Sequence, residues 1–268
     1  PANATDHRIK WTSSNKTAAT VDENGTVTAL RPIETVTITA VYKTNPALTC
    51  SWNLKITRTK GYITKQMLDN LDLTSIKKVM ITAHPDDETL WGGGHLIEGE
   101  YLVVCMTHGW NPKRRTAFEQ TMRTTNDKYL ILDYPDVRKT FSNGKYETDM
   151  LSTCKNAMQE DINLILSYKK WDLIATHNPF GEYGKFLHKT ISQMVTQCYN
   201  KMTNKSATLY YFGRYYNSSN KIPGEQIAPE LLAIKNSMVG RYYPTAKGAI
   251  DAFGHMIPYE NWLLPSEW

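Results

Sequence analysis

One histidine and three carboxylates stand side by side in Ala83-His84-Pro85-Asp86-Asp87-Glu88-Thr89. Crowded together with no basic neighbour, the three carboxylates repel one another, and a bound cation relieves that repulsion. His84 and Asp87 have the spacing that, on a turn leaving a strand and opening a helix, brings an imidazole nitrogen and a carboxylate oxygen to one ion. Zinc takes that donor pair readily. A third ligand has to come from another strand end. The apolar run Leu173-Ile174-Ala175 leads into a loop that ends at His188, the favoured ligand, with His177 as its competitor directly after the strand. His84, Asp87 and His188 leave room for a water, and Asp86 is read as the general base beside it. Lys185, Tyr183 or His255 would stabilise the resulting oxyanion or protonate a leaving amine. Glu88 reads as a helix cap, and His95 and His108 as structural.

These residues need strand ends to hold them. Val79-Met80-Ile81 reads as the end of a buried strand, and Gly92-Gly93-Gly94 follows the cluster. From Lys77 on, apolar strands (78–83, 101–107, 128–132, 171–176, 207–213) alternate with helical stretches (90–98, 113–125, 149–169, 186–199). That alternation predicts a mostly parallel sheet with helices on both faces, with the chemistry at its C-terminal edge. The aromatic- and proline-rich stretch after Pro229 gives no clear element.

Residues 1–58 have a different texture. Polar and apolar residues alternate through Thr17–Asp22, Gly25–Leu30 and Thr35–Tyr42, and Asn24-Gly25 marks a tight turn. Short, closely spaced strands of this kind predict a small antiparallel sandwich. Lys10-Trp11-Thr12-Ser13-Ser14-Asn15, Ala19-Thr20-Val21-Asp22, Asn24-Gly25-Thr26-Val27-Thr28-Ala29 and Thr37-Ile38-Thr39-Ala40 resemble the bacterial immunoglobulin-like group 2 repeat, with its first strand missing or shortened. The resemblance implies a secreted or cell-surface bacterial protein, with this unit as a spacer or adhesive module in contact with wall or surface glycan.

The segment from Ala83 to Glu88 resembles the signature of the PIG-L/LmbE family of zinc-dependent de-N-acetylases, and Gly184-Lys185-Phe186-Leu187-His188 aligns with its second motif, a glycine followed by H-x-x-H. The resemblance covers roughly residues 76–215. It implies an α/β Rossmann-like fold over 59–268, preceded by the all-β Ig-like sandwich over 1–58. It implies hydrolysis of N-acetyl groups on N-acetylglucosamine-type sugars or glycans. His84, Asp87 and His188 carry over as ligands of Zn2+ or another divalent metal, and Asp86 as general base. Tyr183 falls near the substrate carbonyl, and Arg114, with Arg115 as the alternative, matches an arginine that binds sugar hydroxyls. Lys185 stands where the family has the first histidine of H-x-x-H. A lysine, with an ordinary pKa near ~10.4, supplies charge but shuttles protons poorly. Two other readings therefore stand beside the deacetylase: a surface glycan-binding protein with weak or lost turnover, and a zinc hydrolase of another amide or of an ester.

Composition narrows the remaining classes. The net charge of +5 is spread out, and its densest cluster, Lys113-Arg114-Arg115, lacks the basic stripe or interleaved aromatics of a nucleic-acid surface. No run of ~18 apolar residues is present, so no membrane span is expected. Cys50, Cys105, Cys154 and Cys198 are too scattered for a zinc ribbon or a disulfide framework. The opening Pro1-Ala2-Asn3 reads as mid-pattern, as in a fragment of a longer chain.

Overall fold

A computed structural model of the protein describes residues 8–139, 146–203 and 206–268. Its first unit is built from β1 (Ile9–Ser13), β2 (Ala19–Val21), β3 (Val27–Ala29), β4 (Ile33–Tyr42) and β5 (Thr49–Ile56). β4 lies between β1 and β5 in an antiparallel sheet, and β2 and β3 pair as a hairpin. The period-two pattern does the sorting. Val36 and Ile38 are buried, whereas Thr37 and Thr39 on the opposite face bond to Asn53 and Ser51 across the strand. In the turn between β2 and β3, the Asp22 carboxylate accepts the N–H groups of Asn24 and Thr26 at 2.9 and 2.8 Å. Gly25 has φ +83°, and a Cβ there would come within 2.6 Å of the Trp11 ring, so glycine serves both the turn and the close approach.

The second unit follows in the order α1 (Lys65–Asp69), β6 (Lys78–Thr82), α2 (Asp87–Glu98), β7 (Tyr101–Thr107), α3 (Pro112–Thr125) and β8 (Lys128–Tyr134). Two short strands, β9 (Arg138–Lys139) and β10 (Tyr146–Glu147), precede α4 (Asp149–Tyr168). Then come β11 (Leu173–His177), α5 (Gly181–Gly184), α6 (Phe186–Lys201), β12 (Thr208–Phe212) and α7 (Pro229–Phe253). The five long strands form a parallel sheet in the order β12-β11-β6-β7-β8. The chain winds outward from β6 to β8, then returns to the other side of β6 with β11. The gap between the C-terminal ends of β6 and β11 is thus the topological switch point, where open α/β sheets bind their ligands.

Alternate strand residues feed two cores. Val79, Ile81, Leu102, Val104 and Met106 pack against α4 and α6. Met80, Val103 and Cys105 point the other way, into the layer that holds α2, α3 and α7. α7 is where the sequence left a blank: Pro244 lies inside it, and the backbone leaves helical values at Ala246 (φ −131°). Arg114 takes up a carbonyl at that break, donating to Thr245 O at 3.2 Å.

The glycine run in α2 marks a second break. At Gly92 the backbone turns non-helical (φ −149°), and the carbonyl of Trp91 accepts from the Trp262 indole at 2.8 Å. Glu260 then accepts the N–H groups of Gly94 and His95 at 2.6 and 3.1 Å, capping the second half of the helix. Lys235, wholly buried, donates to the same carboxylate at 2.7 Å. A Cβ on Gly93 would stand 2.9 Å from the Lys235 side chain, so this approach too requires glycine.

The segment joining the two units is clamped to α4. Gly61 N–H donates to Glu160 at 3.0 Å, and the N–H groups of Tyr62 and Ile63 donate to the buried Asp161 carboxylate at 2.9 and 2.8 Å. The tail closes the sheet edge: Tyr211 and Leu263 exchange two backbone hydrogen bonds at 2.8 Å.

Candidate metal centre

β6 delivers His84 to the C-terminal edge of the sheet, and the chain turns sharply into α2. Asp86 carries the turn at φ 141°, a conformation that non-glycine residues adopt only under strain. Local bonds hold it there. Its N–H donates to Glu88 Oε2 at 3.1 Å, and its carbonyl accepts from Leu90 N at 2.9 Å. His84 N–H donates to Asp87 Oδ2 at 2.8 Å, folding that carboxylate back toward the imidazole.

On the other side of the switch point, β11 and the turn after it bring in His188, 104 residues along the chain. His84 Nδ1, Asp87 Oδ2 and His188 Nε2 face one another in a buried cluster. Their separations are 3.0 Å between the imidazoles, 3.3 Å from His84 to Asp87, and 3.5 Å from His188 to Asp87. Donor atoms at about 2.0–2.1 Å from zinc on two corners of a tetrahedron stand about 3.3 Å apart. The three separations are therefore close to the edges of one face of such a tetrahedron.

Outer carboxylates set the tautomers. His84 Nε2 lies 3.0 Å from Asp136 Oδ1. Burial opposes the negative charge on Asp136, but His84, His108 and Lys185 outweigh it and hold the carboxyl below its ordinary range. An ionised carboxylate only accepts, so Nε2 carries a proton and Nδ1 is left facing the cluster. Glu182 does the same for His188, whose Nδ1 donates to Glu182 Oε2. Its other oxygen takes Nδ1–H of His177 at 2.9 Å. Burial would raise the pKa of Glu182, but His188 and His177 override it and keep the carboxyl ionised. Two imidazole lone pairs and a carboxylate oxygen thus converge. Without a cation a proton takes its place: burial opposes charge on His84, yet Asp136 and Asp87 lift its pKa to about 9.

A cleft of about 500 Å³ opens over this cluster. Asp86 lines it, and burial together with the charge of Asp87 pushes the Asp86 carboxyl up to about 7. Arg114, Tyr183 and Lys185 line it as well. Arg114 is placed by α3, whose N-terminus is capped by the Asn111 side chain. Arg115 turns away, donating to Gly109 O at 2.5 Å. Tyr183 is 46% exposed and rests its ring on Phe253, with centroids 4.7 Å apart. Burial opposes the charge of Lys185, but Tyr183, Asp87 and Asp136 outweigh it and raise its pKa above the ordinary lysine value.

Several readings of the sequence change here. Glu88 does cap the start of α2, accepting the Asp86 N–H at 3.1 Å, but it is fully buried and also accepts from Tyr242 OH at 2.5 Å and Thr89 at 2.7 Å, bracing the turn against α7. His177 stands behind the cluster, since its Nε2 accepts Ala83 N–H at 2.9 Å and is not available as a ligand. His255 is bonded to Tyr216 O at 2.8 Å and lies outside the cleft lining. His95 is structural, stacked on Trp262 at 3.7 Å. Asp136 and Glu182 were missed altogether. Both follow the C-terminal end of a parallel strand, and that position was the signal available.

The comparisons with known proteins agree with this architecture. Residues 1–51 match the family described as Bacterial Ig-like domain (group 2). The chain belongs to the family of Uncharacterized protein L374 of Acanthamoeba polyphaga mimivirus, with 31% identity over 175 residues, covering 59% of this chain and 67% of that protein. It is also similar, at 33% identity over 91 residues, to Uncharacterized protein CA_P0160 of Clostridium acetobutylicum, spanning 34% of this chain but only 9% of the relative. The crystal structure of the conserved protein TT1542 from Thermus thermophilus superposes with a TM-score of 0.50 at 13% identity, over 71% of this chain and 94% of that one. That likeness concerns the fold alone.

Proposed function

We propose that the second unit, taken as residues 59–268, is a divalent-metal hydrolase of the PIG-L/LmbE kind that removes acetyl groups from N-acetylglucosamine-type sugars or glycans. The observation that carries this reading is the convergence of His84 Nδ1, Asp87 Oδ2 and His188 Nε2 at 3.0–3.5 Å beneath an open cleft. The donor set of two imidazoles and one carboxylate suits Zn2+ first among divalent metals. A cation seated there supplies Lewis acidity, making water acidic enough to attack at neutral pH and polarising the acetyl carbonyl.

The rest falls to the chain's own side chains. Asp86, strained into the cleft, takes the proton of the attacking water and returns it to the sugar nitrogen as the C–N bond breaks. Lys185 keeps its proton and offers fixed positive charge to the developing oxyanion, beside the Tyr183 hydroxyl. Arg114 on the cleft wall is placed to orient sugar hydroxyls. The amine and acetate products then leave through the open side of the cleft. The Ig-like unit, of a kind often found outside the cell, suits a secreted or surface-attached bacterial protein acting on wall or surface glycan.

Acetate release from N-acetylglucosamine, lost on adding a chelator, tests the reading. Asp86→Ala should keep the metal and lower kcat by about 10²–10⁴-fold. A metal-loaded protein that releases no acetate from any N-acetylglucosamine compound refutes it. Lysine at 185, where the family motif has a histidine, favours one second reading, a glycan-binding protein with little turnover. Under that reading Lys185→His raises activity.

A further inference from the structure

A second cavity, about 710 Å³, lies where the two units meet, lined by Asn15, Thr17, Arg31 and Glu34 on one side and by Trp110 and Asp149 on the other. It is not remote from the metal cluster. Asp136 lines both this cavity and the cleft, and the same carboxylate holds His84 at 3.0 Å. A series of neighbouring planar groups follows the same route. The Arg31 guanidinium lies over Trp110 at 4.3 Å, Trp110 stacks on His108 at 6.3 Å, and His108 meets His84 edge-on at 5.6 Å.

We infer that the two cavities form one extended groove. The sugar that reacts sits in the cleft at Asp86, and further units of the same glycan chain lie in the cavity between the units, with the Ig-like unit as its far wall. This rests on the deacetylase reading and adds the substrate class, an oligosaccharide or polysaccharide rather than a free sugar. Three observations support it. Each cavity by itself falls in the ~300–1,000 Å³ range of a whole small-molecule site, so the pair exceeds the needs of one monosaccharide. The lining carries amide, hydroxyl and carboxylate groups (Asn15, Thr17, Glu34, Asp136 and Asp149), of the kind that pair with sugar hydroxyls, around a Trp110 indole held between Arg31 and His108. The far wall is also held in place, because Glu160 and Asp161 clamp the joining segment by the N–H groups of Gly61, Tyr62 and Ile63.

The test compares N-acetylglucosamine oligomers of one to five units on the metal-loaded full chain. The expected result is a kcat/KM that rises at least about tenfold from one unit to four, with that ratio collapsing toward unity in Thr17→Trp and Glu34→Trp, which fill the cavity from exposed positions on the Ig-like unit. Binding of the same oligomers to Asp86→Asn, followed by calorimetry, gives a readout without turnover: four units should bind at least about tenfold tighter than one, and Thr17→Trp should abolish the difference. Acetate release with equal kcat/KM for one and four units overturns the extended groove and leaves the deacetylase reading standing. Length-dependent binding that responds to residue 17, without acetate release from any oligomer, overturns the activity and leaves the groove. A length preference untouched by both tryptophan variants places the extra units elsewhere and overturns the groove as drawn.

Discussion

Two buried clusters of charge flank the break in α2, and they are balanced in different ways. Beyond Gly92, Glu260 faces Lys235 and two backbone N–H groups. One negative charge meets one positive charge, and every acceptor has a donor. Before Gly92, the cluster at His84, Asp87 and His188 turns three acceptor atoms toward one point, and its nearest protons are spent on Asp136 and Glu182. The first cluster pairs its charges with protein atoms alone. The second, free of any cation, reaches balance by holding a proton on His84. Buried charge by itself therefore says little about function. What separates structure from chemistry here is whether the donors and acceptors close among themselves.

The contrast can be broken first at its structural end. Lys235→Met leaves Glu260 buried without its cation, and should cost about 3–5 kcal/mol in urea unfolding. Adding Glu260→Gln to it should recover much of that loss, since an unpaired charge and not the missing contact is what destabilises. At the other cluster the expected effect is on affinity. Glu182→Gln presents an amide N–H to one of two imidazole N–H groups, so one ring must flip its tautomer. Cation affinity should fall about 10–100-fold by titration against a competing chelator. An unchanged affinity would mean that Glu182 does not set the ligand tautomers. The smallest effect sharpens the comparison by pH. His84 is raised to about 9 in the cation-free site, so at pH 7 it holds a proton that a cation must displace. Binding should release about one proton at pH 7, read from calorimetry in buffers of different ionisation heat. Affinity should rise with pH up to about 9 and level off above it.

The elements were legible where one period dominates. The runs at 78–82 and 101–107 are apolar on both faces, as buried parallel strands require. The donor cluster at 84–88 stood out because carboxylates rarely crowd without a purpose. α7 was not legible, because Pro244, Gly240 and Gly248 interrupt its pattern and its stability comes from tertiary packing on α2 and α3. Asp136 and Glu182 lacked a motif of their own: their role depends on which strand ends lie beside β6, and sheet order is not written in local sequence. Glu88 was legible only in part, as a cap and not as a brace to α7, for a related reason. Its partner Tyr242 lies 154 residues away, so a local cap was the only role visible nearby.

The placement of β11 beside β6 has a consequence for how the protein is made. The ribosome delivers His84 long before His188, and β7, α3, β8 and α4 are made in the interval. Glu260 and Leu263, which brace α2 and the outer strand, arrive later still. Contacts of such long sequence separation form slowly. The cluster of His84, Asp87 and His188 is thus among the last features to assemble, and a nascent chain stalled before β11 would carry a half-sheet without His188.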